Sequence, residues 1–536
     1  MIASTRAAQI LIGFGVINVV LYAGLQPLWE GFDESYHYGY VQELSRHGRL
    51  PVLGRTCLSE EIWQSMGAIP VSYRVKENVR RGVSYEEYWR LTADERRAMR
   101  DRLQGIDRGL GGQASHSPNY ESHHAPLAYL LLSPLDWALS RVVLSTRILV
   151  LRIFCGLVSV LLTALAAIRL ERLLALAGPW RLTAPFLIFS SQMFYATTAH
   201  ISNDWLAVPL LTMLLAQCAA VHIQPNLRNV ALLGAALAAA LLTKAYFLAM
   251  APLVVAVVLW GTAKGRITGR DALVFAALAS AAVPWYVRNL ALYRNLSGMQ
   301  ETLGGTPFGK LAASALRLPW LKSWWSEAHM SLWTGNSSLT TFQQGTITAM
   351  LVMVLAAASL CVRAYLRRKP GGAEVVTLAG LLSFLSALAY SANLTFCYTK
   401  GVGIAPSPTY AEALWPPLLI WLMLGLPRAG RIGNGVRIAM IWLWTYVIAA
   451  TYVAKLVPFY AGLTKDRARF AEIPAWWAKL ITGSSGLDTA ALLPASVIVL
   501  LTVAVTLLAI VLATWLSAGY PNAPRNGLGY HKLNTP

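Results

Sequence analysis

The chain has 536 residues, of which 56% are hydrophobic and 13% charged, where an ordinary soluble domain carries about 25% charged residues. So much apolar surface needs lipid around it. The net charge of +20, from 45 Lys and Arg against 25 Asp and Glu, would suit nucleic acid, but no soluble basic domain is present to carry that function, so no nucleic-acid partner is expected.

Arg6 precedes an apolar run at 7–28 that has no A-x-A-like cleavage site after it, so residues 1–28 read as an uncleaved first transmembrane helix. A hydrophilic stretch, 29–146, follows. Within it, 84–104 places Glu86, Glu87, Asp94 and Glu95 near Arg90, Arg96, Arg97 and Arg100, the pattern of a charged, solvent-facing helix. His124-Ala125-Pro126-Leu127 opens an apolar stretch that ends at Leu139, is short for a crossing and contains Pro134 and Asp136, which predicts a juxtamembrane or re-entrant helix.

Residues 147–292 read as transmembrane helices 2–7, carried by runs such as 148–168, 230–242 and 272–287. A Trp-rich loop at 293–344 contains Trp320, Trp324, Trp325 and Trp333, as suits segments lying in the headgroup layer. Residues 345–517 then hold helices 8–12, with outer loops near 392–410 and 457–489, the second carrying Trp476 and Trp477, and 518–536 form a tail.

Lys and Arg concentrate in short polar breaks: Arg169, Arg172 and Arg181; Lys264, Arg266 and Arg270; Arg363, Arg367, Arg368 and Lys369; Arg428, Arg431 and Arg437. With about twelve spans, the positive-inside rule puts every one of these breaks in the cytoplasm, together with both termini. The long loops then face outward. The basic residues of 29–146 do not contradict this, since long loops translocate largely regardless of charge. The expected protein is therefore an all-α polytopic protein of the inner (plasma) membrane, with a long extracytoplasmic first loop carrying juxtamembrane helices. Of the five cysteines, Cys155, Cys218 and Cys361 lie in apolar runs; Cys57 and Cys397 lie in loops, and no spacing rule pairs them.

The residues able to do chemistry lie on the outer side. Asp33 and Glu34 stand where the first helix leaves the membrane, and adjacent carboxylates can serve as base, metal ligand or both. In a helix, Asp33 and His37 share a face and Glu34 points about 100° away, so one acid can enter a cavity while the other supports it. A solvated acidic turn is the plainer reading of the pair. Asn203-Asp204 sits in a short turn, where it also suits a helix N-cap. Lys244 and Arg288 end apolar runs on the outer side; such cations commonly snorkel, but two of them can also bind a phosphate. There is no G-x-x-x-x-G-K-[ST], H-E-x-x-H or G-x-S-x-G motif, and the cytoplasmic loops are too short for a nucleotide site.

Taken together, this arrangement resembles the multispanning glycosyltransferases of the GT-C superfamily, which includes protein O-mannosyltransferases and the aminoarabinose transferases of lipid A. Asp33-Glu34 resembles that family's acidic pair in the first outer loop, and 40–48 its aromatic helix ending in a small residue. His124-Ala125-Pro126-Leu127-Ala128-Tyr129 is similar to a Pro-Pro-Leu-x-Tyr stretch with Ala125 in place of the first proline. Asn203-Asp204 matches a second outer acidic position, Leu242-Thr243-Lys244 a Leu-Thr-Lys ending, and Trp285 with Arg288-Asn289 a Trp-x-x-Arg-Asn pattern. The nearest likeness is to a bacterial branch whose acidic pair is followed by a histidine, as His37 follows Glu34. Where that branch has Gly-Arg-Tyr-Leu-x-Pro, this chain has 411–416 without the arginine, which leaves Glu412 as a site residue of undefined role.

The resemblance implies a polyprenyl-phosphate-linked sugar as donor and a hydroxyl acceptor. Asp33, or Glu34 in another register, would act as general base for inverting transfer, and Lys244 and Arg288 would neutralise the leaving phosphate. Asp204, His37, His124 and Asn289 would position substrate. A divalent cation is an open option, with Asp33, Asp204 and His37 as its ligands. The alternatives are a secondary transporter using Asp33, Asp204, Lys244 and Glu412 as coupling charges, and a non-catalytic component of a surface-polysaccharide system.

Overall fold

The computed structural model describes residues 2–71, 82–298, 307–334, 344–463, 472–482 and 486–518. Among these described residues the architecture is helical apart from two small two-stranded sheets, Cys57–Ser59 antiparallel with Ala114–Pro118 and Pro70–Val71 parallel with Val83–Ser84. Among the described residues, nine helices are long and apolar enough to cross a membrane. One of them, Trp415–Tyr460, is 46 residues long, about 69 Å at the α-helical rise and twice a bilayer core. It is not straight: a 3-10 turn at Leu426–Ala429 breaks it, and Gly430 at φ 61° turns the chain where a Cβ would be strained.

Helix Asp204–Ile223 is the axis of the bundle. Its apolar window is 83% buried, against 28% for Gly269–Tyr293 and 33% for Ala495–Ala518. It packs against Leu144–Leu173, Leu227–Leu241 and Gly372–Tyr398, whereas Leu259, Leu273, Leu500, Leu507 and Val511 point outward from their helices. Apolar side chains on the outside and a packed interior are the pattern of a lipid-embedded bundle.

Between the first helix, Ile2–Leu25, and Leu144–Leu173 lies a compact outer layer. The stretch read as a single charged helix over 84–104 is two, Tyr85–Arg90 and Ala93–Gln104, each started by a capping box, Ser84 with Glu87 and Thr92 with Glu95. Met99 and Leu103 are buried and the charged positions mostly face solvent. Leu127–Ala138 is a short apolar helix with Pro134 inside it, and it packs on Glu34–His47. Its buried Asp136 accepts hydrogen bonds from Tyr38 (2.8 Å) and Ser45 (2.5 Å), and Arg147, 3.9 Å away, also pairs with Glu61 at 2.5 Å. This buried polar network, in which Arg147 Nε and Nη1 have no hydrogen-bond partner, joins the outer layer to the bundle.

Short amphipathic helices cover the same side. Phe308–Arg317 and Trp320–Leu332 leave Phe308, Leu316 and Leu321 almost fully exposed, as a headgroup-layer position requires. Parts of the Trp-rich loop, parts of 457–489 and the tail from 519 onward lie outside the described residues. All five cysteines, Cys57 and Cys397 included, are free thiols.

Candidate active site

The site begins with the end of the first helix. The last carbonyls of a helix lack intrahelical partners, and here Arg152 supplies them: Nη1 donates to the carbonyls of Ala23 (3.2 Å) and Gln26 (2.7 Å), and Nη2 to that of Pro27 (2.8 Å). The same guanidinium grips Glu34, Nε on Oε1 at 2.7 Å and Nη2 on Oε2 at 2.5 Å, with both side chains fully buried. Burial alone would raise the Glu34 carboxyl; the charge and hydrogen bonds of Arg152 outweigh it and hold the group below the usual carboxylate range. Glu34 also accepts from the backbone N–H of Ile201 (3.2 Å), and Gly31 lies so close to His200 that a Cβ there would come within 2.8 Å of it.

The turn that carries the acidic pair is thereby clamped between two helices and the 200–204 turn. Its geometry throws the two acids apart. Asp33 takes the left-handed conformation (φ 54°, ψ 20°) as the residue before helix Glu34–His47, which sends Glu34 inward and leaves Asp33 exposed on the wall of a cavity of about 1050 Å³. Tyr120 donates its hydroxyl to Asp33 Oδ1.

Lys244 lies on the wall of the same cavity, brought there by a second set of contacts. Asn203 Nδ2 approaches the Thr243 carbonyl (3.4 Å), Leu127 N–H donates to the Leu242 carbonyl (2.9 Å), and Lys244 Nζ meets Asp204 Oδ1 at 2.5 Å. The ammonium also sits 4.1 Å from the ring centre of Tyr410 and 5.3 Å from that of Tyr246, a cation–π arrangement that leaves it facing the cavity. The rest of the wall is partly aromatic, with Trp285, Tyr390 and Tyr398.

A third group comes from the 3-10 turn Tyr120–His123. Glu121, His123 and His124 all line the cavity, and one ligand atom from each lies within 4.8 Å of the others. Glu121 Oε2 is 2.5 Å from His124 Nε2, and the His123 and His124 ring centres are 4.2 Å apart. Burial pushes His123 down to about 3, helped by His124, and pushes His124 down to about 3, helped by the charge of Lys244. Both rings are therefore neutral at ordinary pH.

Several expected site residues lie elsewhere. Arg288 is not on the cavity wall: it donates to the Pro51 carbonyl (2.7 Å) and stacks 4.8 Å above Trp285, fastening the outer layer to helix Val283–Tyr293. Asn289 acts on a lining segment from behind, its Nδ2 donating to the Leu296 carbonyl at 3.0 Å. His37 is buried, hydrogen-bonded to the Tyr129 hydroxyl through Nδ1 (2.8 Å), and driven well below its ordinary value by burial first and then by the neighbouring imidazoles and Lys244. Asp204 is taken by Lys244, so Asp33, Asp204 and His37 do not assemble as a ligand set. Glu412 is buried, neither oxygen has a hydrogen-bond partner, and burial raises it far above the carboxylate range; its neighbour Tyr410, not Glu412, reaches the cavity.

Four participants went unseen in the sequence: Arg152, hidden inside an apolar span, Tyr120, Glu121 and His123. An arginine in the middle of a transmembrane run and a Glu-x-His-His run in an outer loop were the available signals. No family model, curated protein or solved structure matches the chain.

Proposed function

We propose that the chain is a membrane-embedded glycosyltransferase of the GT-C type, which transfers a sugar from a polyprenyl-phosphate donor to an acceptor hydroxyl on the outer side of the plasma membrane. One observation carries this reading: a single large cavity, partly walled by aromatic side chains and opening where apolar helices meet the outer layer, holds an accessible carboxylate, Asp33, and a desolvated cation, Lys244. Asp33 takes the proton of the acceptor hydroxyl, the oxygen attacks the anomeric carbon from the face opposite the leaving group, and the phosphate departs towards Lys244. A phosphate needs little protonation to leave, so one base and one cation suffice. Glu34 has no part in the proton transfer, because Arg152 occupies both of its oxygens.

The same reading takes the chain as crossing about twelve times, with the broken pair Thr183–Phe189 and Gln192–Thr198, the shorter Leu227–Leu241, and the two limbs of Trp415–Tyr460 each counted as crossings. Both termini then lie in the cytoplasm. A transporter reading has one observation in its favour, the buried acids Glu327 and Glu412 without hydrogen-bond partners.

The deciding experiment is mass spectrometry of lipid extracted with the purified protein, repeated on Asp33→Asn. A bound prenyl-phosphate sugar that Asp33→Asn retains but no longer turns over supports the transferase. No such lipid in either protein, together with measurable solute uptake into vesicles, rejects it.

A further inference from the structure

We infer that Glu121, His123 and His124 form a binding site for a divalent transition metal of the zinc class, open on one side to the cavity that holds Asp33. The site stands on its own geometry; only its use in turnover rests on the glycosyl-transfer reading.

Two imidazoles and one carboxylate make the donor set of an open catalytic zinc site, in which the protein supplies three ligands and leaves a position for water or substrate oxygen. The three ligand atoms lie within 4.8 Å of one another. Metal–ligand bonds of about 2.0–2.2 Å put tetrahedral ligands roughly 3.3 Å apart, so the group needs side-chain rotations and no backbone rearrangement to close on an ion. The 2.5 Å contact between Glu121 Oε2 and His124 Nε2 would open by under about 1 Å as the metal inserts between them.

Hydrogen bonds that orient these ligands are already in place. The His123 Nδ1 lies 2.8 Å from the Tyr120 carbonyl, and only an N–H can face a carbonyl, so the proton is on Nδ1 and the lone pair on Nε2. Metal-bound histidines are commonly oriented in this way by a backbone acceptor. Glu121 Oε2 lies 4.0 Å from His37 Nδ1, whose ring is fixed by Tyr129. The turn itself is pinned, because Asn119 accepts from Glu121 N–H (3.0 Å) and donates to the Tyr36 carbonyl (2.9 Å). Tyr120, the residue before Glu121, holds Asp33, so an ion at this place would sit beside the turn that presents the proposed base.

The chemistry of the donors selects the ion. Imidazole nitrogen suits zinc, cobalt and nickel, whereas magnesium and calcium call for oxygen-rich sets. The inference is therefore of a site that magnesium and calcium do not fill.

The test uses the full chain in detergent micelles, stripped with chelator and then titrated with Co²⁺ and Zn²⁺, with bound metal counted by mass spectrometry and Co²⁺ read by visible absorption. The expected result is one equivalent per chain, a tetrahedral nitrogen–oxygen cobalt spectrum, and no displacement by millimolar magnesium. His123→Ala and Glu121→Gln should each lose the equivalent, while the distant His222→Ala keeps it. X-ray absorption at the zinc edge of the unaltered protein needs no variant and should show two imidazoles. Failure to bind an equivalent, thiolate-to-cobalt bands, or retention of the metal by His123→Ala overturns the proposal. No substrate enters this measurement, so a chain that binds metal but transfers no sugar rejects only the transferase reading. A chain that transfers sugar without binding metal rejects only the site.

Discussion

Arg152 holds both oxygens of Glu34, at 2.7 and 2.5 Å, in a pair with no solvent exposure on either side chain. Because the same guanidinium also satisfies the carbonyls of Ala23, Gln26 and Pro27, the bend after the first helix and the position of the acidic pair are one structural unit. The two neighbouring acids consequently have separate duties, Glu34 to fix the turn and Asp33 to face the cavity.

Replacing the two residues should therefore give opposite outcomes. Glu34→Gln leaves a buried guanidinium without its counter-charge, a loss of about 3–5 kcal/mol, to be read as a lowered unfolding temperature in detergent. Asp33→Asn should unfold with the wild-type protein, since asparagine tolerates the left-handed backbone that Asp33 adopts, yet lose transfer. A stable Glu34→Gln protein without transfer activity, beside an active Asp33→Asn, would exchange the two roles.

The Lys244–Asp204 pair supports a second prediction. Lys244→Met should lower transfer by roughly a hundred- to a thousandfold, the range for one lost charge-stabilising group in a dry site, and should reduce the donor lipid that co-purifies. It also leaves the buried Asp204 unpaired, so Lys244→Met with Asp204→Asn should regain stability without regaining activity. Arg288→Ala should loosen the outer layer at Pro51 while donor lipid stays bound. Donor loss in Arg288→Ala but not in Lys244→Met would move the phosphate site to Arg288.

How much of this was legible beforehand differs by residue. Apolar runs reveal the spans because bilayer thickness dictates their length, and the position of Leu127–Ala138 followed from an apolar stretch too short to cross. Asp33 and Lys244, singled out from the sequence by residue type and by position at the ends of apolar runs, do line one cavity. Arg288 misled: a cation at a helix end looks the same in sequence whether it binds phosphate or a carbonyl across a 237-residue separation. Arg152 and Glu121 were missed for the complementary reason. Their partners, Glu34 at one remove of 118 residues and His123–His124 in a turn, are set by tertiary packing and a 3-10 geometry that no periodicity announces. The single charged helix expected at 84–104 became two because Thr92 and Glu95 form their own capping box.

Above about pH 7, where the buried histidines no longer titrate in either state, stability should fall as pH rises, on account of Glu327. Burial raises this carboxyl to about 8, and neither of its oxygens has a hydrogen-bond partner. Between its ordinary value, about 4.3, and about 8, the folded chain holds a proton that the unfolded chain has released, so the contribution is complete below the lower value and is lost as pH climbs through the upper one. Burial raises Glu412 as well and adds in the same direction. Between about pH 7 and 8.5, above the range where the buried histidines take up protons on unfolding and so oppose the effect, unfolding temperatures should decline for the wild-type protein and decline less steeply in Glu327→Gln, whose amide is neutral throughout. A decline of unchanged slope in that variant would assign the effect to other groups.

Tyr120 donates its hydroxyl to Asp33 Oδ1, and its ring lies 4.1 Å from that of Tyr36. A hydrogen bond to a charged group is worth about 1.5–3 kcal/mol, and here it orients an exposed carboxylate in a left-handed turn. Tyr120→Phe keeps the ring contact and removes only the hydroxyl. Transfer should fall by roughly ten- to a hundredfold through kcat, with KM for the donor little changed, because the proposed reaction assigns the phosphate to Lys244 and not to Asp33. Metal content should be unaffected, since the Tyr120 carbonyl, and not its hydroxyl, faces His123. Steady-state kinetics on the variant, with bound metal measured in the same preparation, checks all three. A rise in KM at constant kcat would place Tyr120 on the donor and take Asp33 out of its orienting grasp.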